Sequence, residues 1–153
     1  MNADCVVDAS VGIKIFVEEE FSVEADNLFD RLVTDPPARF YVPDLFYVEC
    51  ANILWKYTRR FSYPLENALQ DVRDLCRLAL RTVSTADLLE SALELALAYD
   101  ITAYDACYAA LAQQLNLPLI TADEALQRKL QNSGILVQGL ATSGKTGDGE
   151  KLE

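Results

Sequence analysis

Short β-rich runs alternate with stretches of helical periodicity along most of the chain, and this alternation restricts the fold more than any other feature. Cys5-Val6-Val7-Asp8 reads as a strand halted at Ala9-Ser10, with a helix expected from about Ser10 to Glu19. A second helix is expected over Ser22 to Val33, ending before the turn Asp35-Pro36-Pro37. Phe40-Tyr41-Val42 reads as a strand, and Pro43 is suited to open the next helix, which runs to about Arg60. Pro64 opens another, to about Leu78. Arg81-Thr82-Val83 is a weak strand, followed by an amphipathic helix over Ala86 to Tyr99. Thr102 to Asn116 is apolar nearly all round, as a buried helix must be. Leu117 to Thr121 reads as a strand, Asp123 to Asn132 as a helix stopped by Gly134, and Ile135-Leu136-Val137 as a last strand.

Such alternation predicts an α/β fold: a mostly parallel central sheet flanked by helices on both sides. At 153 residues the chain is one domain's worth, placed at residues 1–137. From Gln138 the composition turns to Gly, Ser, Lys and Glu, so residues 138–153 read as a loose tail. No stretch approaches a membrane span and the first residues lack a signal-peptide pattern, so a soluble cytoplasmic protein is expected.

Composition then narrows the chemistry. There is no histidine, which excludes Ser-His-Asp hydrolases, Cys-His proteases, histidine-pair zinc enzymes and nucleases with a catalytic histidine. Cys5, Cys50, Cys76 and Cys107 lie far apart in apolar segments, forming neither a redox pair nor a zinc knuckle, and are expected to be reduced and buried. The net charge of −11 opposes nucleic acid at long range.

Four carboxylates stand where the pattern calls for burial. Asp8 ends the first strand, and Glu49 lies within Phe46-Tyr47-Val48-Glu49-Cys50-Ala51. Asp105 is the one formal charge between Ile101 and Ala122, and Asp123 follows Leu119-Ile120-Thr121. An ionised carboxylate taken out of water costs several kcal/mol unless compensated, and none of these segments carries a local Lys or Arg. A bound divalent cation would compensate several at once, and oxygen-only ligands select Mg²⁺ or Mn²⁺. Structural roles remain open beside this one. Thr102-x-x-Asp105 and Thr121-x-x-Glu124 match the capping box, Asp123 is itself suited to cap a helix, and Glu49 to a solvent edge. Ser10 and Asn52 are near-site candidates or, equally, caps or core hydrogen bonds.

The order and context of these acids resemble the PIN-domain family, particularly VapC-type toxins of toxin–antitoxin pairs. The resemblance rests on Val6-Val7-Asp8-Ala9-Ser10, Glu49-x-x-Asn52-x-Leu54, Tyr104-Asp105-Ala106-x-Tyr108-x-Ala110-Leu111-Ala112 and Leu119-x-Thr121-x-Asp123. It implies a parallel sheet between helices, with Asp8, Glu49, Asp105 and Asp123 as catalytic, metal-binding acids in a pocket at one end. Ser10, Asn52 and Thr121 match supporting polar positions. It further implies hydrolysis of RNA phosphodiesters with Mg²⁺ or Mn²⁺, leaving 5′-phosphate and 3′-hydroxyl ends, a homodimer, and a cognate antitoxin. Lys14, Lys56, Arg59 and Arg60 are candidates for an RNA-binding rim, although a solvated helix face is the ordinary reading of such charges.

Two rivals come from other classes. A PIN fold can serve as an interaction module with a weak or inactive acid site. A phosphatase using Asp8 as nucleophile would want a second Asp two residues on, where Ser10 stands. Gly139-Leu140-Ala141-Thr142-Ser143-Gly144-Lys145-Thr146 also matches the P-loop letter for letter. A working P-loop opens into a helix that helps hold the phosphates, and the remaining glycine-rich residues are too few, so ATP binding is not expected.

Overall fold

In the computed structural model, which describes residues 4–143, five strands form one parallel sheet in the order β3-β2-β1-β4-β5. They are β1 (Cys5–Val7), β2 (Phe40–Pro43), β3 (Arg81–Val83), β4 (Leu119–Ile120) and β5 (Val137–Gln138). Val6 pairs with Tyr41 on one side and Leu119 on the other, which puts β1 at the centre. Every residue of β1 and β4 is buried. Successive side chains of a strand point to opposite faces, so this pattern requires cover on both.

The helices are α1 (Ala9–Gly12), α2 (Ser22–Phe29), α3 (Leu45–Arg60), α4 (Leu65–Leu75), α5 (Leu89–Tyr99), α6 (Ala103–Leu115), α7 (Glu124–Lys129) and α8 (Leu140–Ser143). Helix α6 packs against β1, β2 and β4, while α5 packs along α6 and α3 meets both β2 and α1. All of Ala106 to Ala112 is buried, which explains why α6 is apolar on every side. The chain is thus the expected α/β fold. Strand order reverses between β1 and β4, and in open α/β sheets ligands bind beyond the carboxyl ends of the strands at such a point. The residues emerging there are Asp8 and Thr121. No helix among the described residues is long and apolar enough to cross a membrane.

Several boundaries differ from the sequence reading. The first α-helix stops at Gly12 and tightens into a 3₁₀ turn over Ile13–Ile15, because Val11, Ile13, Ile15 and Val17 are β-branched and resist a helical run. Pro43 ends β2 rather than opening α3. It pairs with Val83, and the Asp44 amide supplies the next ladder bond to the Val83 carbonyl at 2.9 Å. The last strand begins at Val137, after a left-handed turn at Gly134 (φ 82°). Gln138 belongs to that strand and Leu140 is buried where α8 packs against α2, so the fold extends past Val137. Of the P-loop match, Leu140 to Ser143 form α8, and Gly144-Lys145-Thr146 lie outside the described residues, as does the rest of the tail reading. Cys5, Cys50 and Cys107 are buried, but Cys76 is exposed at the end of α4.

Close approach of α1 to α3 depends on Gly12. A Cβ there would sit 2.6 Å from Cζ and 2.8 Å from Cε2 of Phe46, whose ring is fully buried. Phe46 precedes Glu49 by one helical turn, so this contact also sets where Glu49 lies. Gly12→Ala is expected to lower stability by about 1–2 kcal/mol, overpacking outweighing the helix-propensity gain. The urea unfolding midpoint measures it, and an unchanged or raised midpoint would show that the ring can move aside.

Candidate acidic site

Asp8 occupies the N-cap position of α1 with extended backbone, yet its carboxylate makes no capping bond to that helix. It turns instead toward two hydroxyls. Ser10 Oγ and Thr121 Oγ1 each donate to Asp8 Oδ2 at 2.8 Å. Each hydroxyl in turn accepts a backbone amide from the loop after β4, Ala122 N to Ser10 Oγ and Asp123 N to Thr121 Oγ1, both at 3.1 Å. The relay therefore runs from amide to hydroxyl to carboxylate and ties the end of β1 to the end of β4. Oδ1 takes no part in it. Asp8 is buried, and burial pushes its carboxyl above the ordinary range. The hydroxyls and the Ala9 amide oppose that shift, and Asp123 adds to it.

Glu49 projects from α3, half-buried. Its Oε1 accepts from the Tyr108 hydroxyl of α6 at 2.7 Å. Burial raises it to about 7 against the opposing Tyr108 bond, with the negative charges of Asp8 and Asp105 adding to the rise. Asp105 lies in the first turn of α6, and burial followed by the charges of Asp8 and Asp123 raises it to about 6. The Thr102 side chain and Lys129 act in the opposite direction. Asp123 is exposed and caps α7, its Oδ1 accepting from Leu126 N at 3.1 Å. Capping and proximity to the acids are thus combined in one residue, and Thr102 does cap α6 through the Asp105 amide.

Asp105 and Asp123 line a cleft of about 370 Å³ with Thr102, Asp100 and Lys129. A second cavity of about 360 Å³ lies near Pro118 and Leu136, at the opposite end of the strands, and is lined by no charged side chain. Chemistry and topology therefore both select the first. Among the described residues no three acids are gathered into a closed ligand set. What links them is electrostatic: after burial, the charge of Asp123 raises Asp8, those of Asp8 and Asp105 raise Glu49, and those of Asp8 and Asp123 raise Asp105. The donors are all oxygen, carboxylates backed by two hydroxyls, and this set fits a hard divalent ion.

The other candidates fall in different places. Ser10 and Thr121 belong to the relay. Asn52 is exposed, one turn along α3 from Glu49. Lys14 is not on a basic rim: it is buried and paired with Glu19 at 3.2 Å, and Glu19 also accepts from the Tyr57 hydroxyl. Its aliphatic neighbours Ile13 and Ile15 pull that turn into the core. Lys56, Arg59 and Arg60 are exposed near the end of α3, with the Arg59 guanidinium 6.0 Å from the Trp55 ring centre. Sequence reasoning gave no role to Tyr108 or Lys129. Tyr108 had a legible signal, since a buried tyrosine in a run of small apolar residues must find an acceptor for its hydroxyl.

Comparisons with known proteins bear on the family and the fold. The family described as PIN domain matches residues 5–130. Ribonuclease VapC3 of Pyrobaculum aerophilum is 35% identical over 126 residues, covering 81% of this chain and 92% of the relative. Among solved structures, PAE2754 from Pyrobaculum aerophilum superposes with a TM-score of 0.68 at 23% identity, over 92% of this chain and 86% of that one. VapBC2 from Rickettsia felis, solved bound to a DNA fragment from its promoter, gives 0.65 at 13% identity, over 89% and 98%.

An acid whose pKa is raised by folding holds its proton more tightly in the folded state. Stability is then fully favoured below the unfolded pKa and is lost as pH rises from there through the folded pKa. For Glu49 and Asp105 that window spans the ordinary carboxylate range up to about 7 and about 6. In EDTA, Tm is expected to rise as pH is lowered from about 7.5 toward about 5. The double variant Glu49→Gln/Asp105→Asn should show a visibly flatter profile. Parallel profiles for the two proteins would mean that these acids titrate normally.

Proposed function

The chain belongs to the PIN-domain family, and on that footing we propose that it is a metal-dependent endoribonuclease, the toxin of a VapBC-type pair. One observation carries the reading: Asp8, Glu49 and Asp105, brought from separate parts of the chain to the β1–β4 switch point beside Asp123, are raised by burial and further by neighbouring carboxylates, and among the described residues none of the four is in a salt bridge. Such an arrangement is costly for a protein that uses it only to fold. It suits one that holds a positive ion.

Asp8, Glu49, Asp105 and Asp123 would hold Mg²⁺ or Mn²⁺, which supplies Lewis-acid polarisation of the phosphate and hydroxide near neutral pH. The chain's own residues do the rest. The Ser10 and Thr121 hydroxyls fix the rotation of the Asp8 carboxylate through Oδ2. The Tyr108 hydroxyl fixes Glu49 through Oε1. Asp105 and Asp123 face the open cleft, where a phosphodiester has room to enter and where a carboxylate can orient the attacking water. With water adding to phosphorus and the P–O3′ bond breaking, as the family resemblance implies, the products would carry 5′-phosphate and 3′-hydroxyl ends.

The same reading brings two protein partners, a second copy of the chain and a cognate antitoxin. Leu89, Leu93 and Leu97 expose one stripe of α5, and Val48 and Trp55 one stripe of α3. Apolar area of this kind is usually covered by protein. Sedimentation is expected to give twice the chain mass for the purified protein and the chain mass for Leu93→Glu/Leu97→Glu. A monomeric wild-type protein would remove the homodimer from the proposal.

Cleavage of mixed-sequence RNA in Mg²⁺ or Mn²⁺ tests the activity. Asp8→Asn and Asp105→Asn, with unchanged circular dichroism, are each expected to reduce the rate by about a hundredfold or more, the loss of a few kcal/mol of transition-state stabilisation. If neither ion supports cleavage and neither raises Tm at millimolar concentration, the fold acts as an interaction module.

A further inference from the structure

Resting on the ribonuclease reading, we infer that Lys129 binds a phosphate of the RNA strand beside the acid site. The cleft that Asp105 and Asp123 line has one cationic side chain among its lining residues, and that is Lys129 at the end of α7. An RNA strand entering here meets carboxylates first. The overall charge of −11 offers no attraction at a distance. A cation at the cleft wall offsets that repulsion and gives a second phosphate a point of attachment while the scissile one lies at the acids.

The geometry leaves Lys129 able to do this. Its Nζ donates to the Asp100 carbonyl at 2.7 Å, and an ammonium has three protons to give. The Asp100 carboxylate stands 3.8 Å away and is fully exposed, so that ion pair is weak and yields readily. The carbonyl bond anchors the ammonium at a fixed point, because Asp100 itself ends α5 in a left-handed turn (φ 54°). The side chain is about half exposed (47%), open to a ligand in the cleft. Lys14 cannot substitute, being buried against Glu19.

The test measures binding of a 5′-fluorescein single-stranded RNA of mixed sequence by anisotropy, in EDTA and at several salt concentrations, for wild type, Lys129→Gln and Lys129→Arg. Cleavage kinetics in Mg²⁺ and in Mn²⁺ accompany it. Lys129→Gln is expected to weaken binding about tenfold, the loss of one charged hydrogen bond. The slope of log affinity against log salt should become shallower by about 0.7, the value for one single-strand phosphate. KM should rise with kcat nearly unchanged, and Lys129→Arg should restore the affinity and the KM. A residue that only braces the Asp100 carbonyl would lower Tm and leave the salt slope as it was, and that result overturns the inference, as does wild-type protein that binds no RNA at low salt. Cleavage that is indifferent to Lys129 sinks this inference and leaves the ribonuclease reading standing. Lys129-dependent binding without cleavage in either metal does the reverse.

Discussion

Two buried carboxylates bracket the central strand, and the difference in how they are compensated governs the rest of the molecule. Asp4, just before β1, is met by Arg39, whose Nε donates at 2.9 Å and whose backbone amide donates at 2.8 Å. Charge is cancelled at that end, and the strand pair β1–β2 is fastened there. Asp8, just after β1, receives neutral hydroxyls from Ser10 and Thr121. Hydroxyls orient a carboxylate but do not cancel its charge, so the negative potential persists and spreads to Glu49, Asp105 and Asp123. One end of the strand is therefore closed electrostatically and the other is left open for a positive partner.

The same logic explains where the cations are. Lys14 is withdrawn into a contact with Glu19 that also engages Tyr57 of α3, which makes it a fastening between the turn after α1 and the long helix. Lys56, Arg59 and Arg60 stay in solvent at the far end of α3, with Arg59 resting near Trp55. Neither group neutralises the acid cluster. Among the residues lining the cleft, the positive charge comes from Lys129.

Much of this was legible in the sequence because it follows from period and position. The strand–helix alternation gave the sheet, and the unbroken apolar surface of Thr102 to Asn116 gave the central buried helix. The acids were legible as charges in segments that should be dry, and Ser10 and Thr121 as polar residues beside them. Legibility ended where an outcome depends on contacts between distant segments. Asp123 and the Thr102-x-x-Asp105 capping box have the same local signature whether or not a cleft adjoins them, and pattern alone does not separate the roles. Lys14 looked like a rim cation because sequence spacing does not reveal that Glu19 and Tyr57 converge on it. Cys76 looked buried because its neighbours Leu75 and Leu78 face inward while it does not. Helix ends shifted where β-branched residues favoured a tighter turn, which is a balance of small propensities.

The order of the strands also sets when the site comes into existence. The central strand is made long before one of its two neighbours, which arrives with Leu119 and Ile120. Ser10 and Thr121, whose hydroxyls converge on Asp8, are separated by 111 positions. Contacts so distant along the chain form late, after the entropy of closing a long loop has been met. A chain still emerging from a ribosome holds Asp8 and Glu49 outside but lacks Thr121 and Asp123, so its acids are scattered and unoriented. The hydroxyl pair that orients Asp8 is accordingly complete only once the segment carrying Thr121 has been made and has docked beside the central strand, so the geometry of the site is among the last features of the fold to be set.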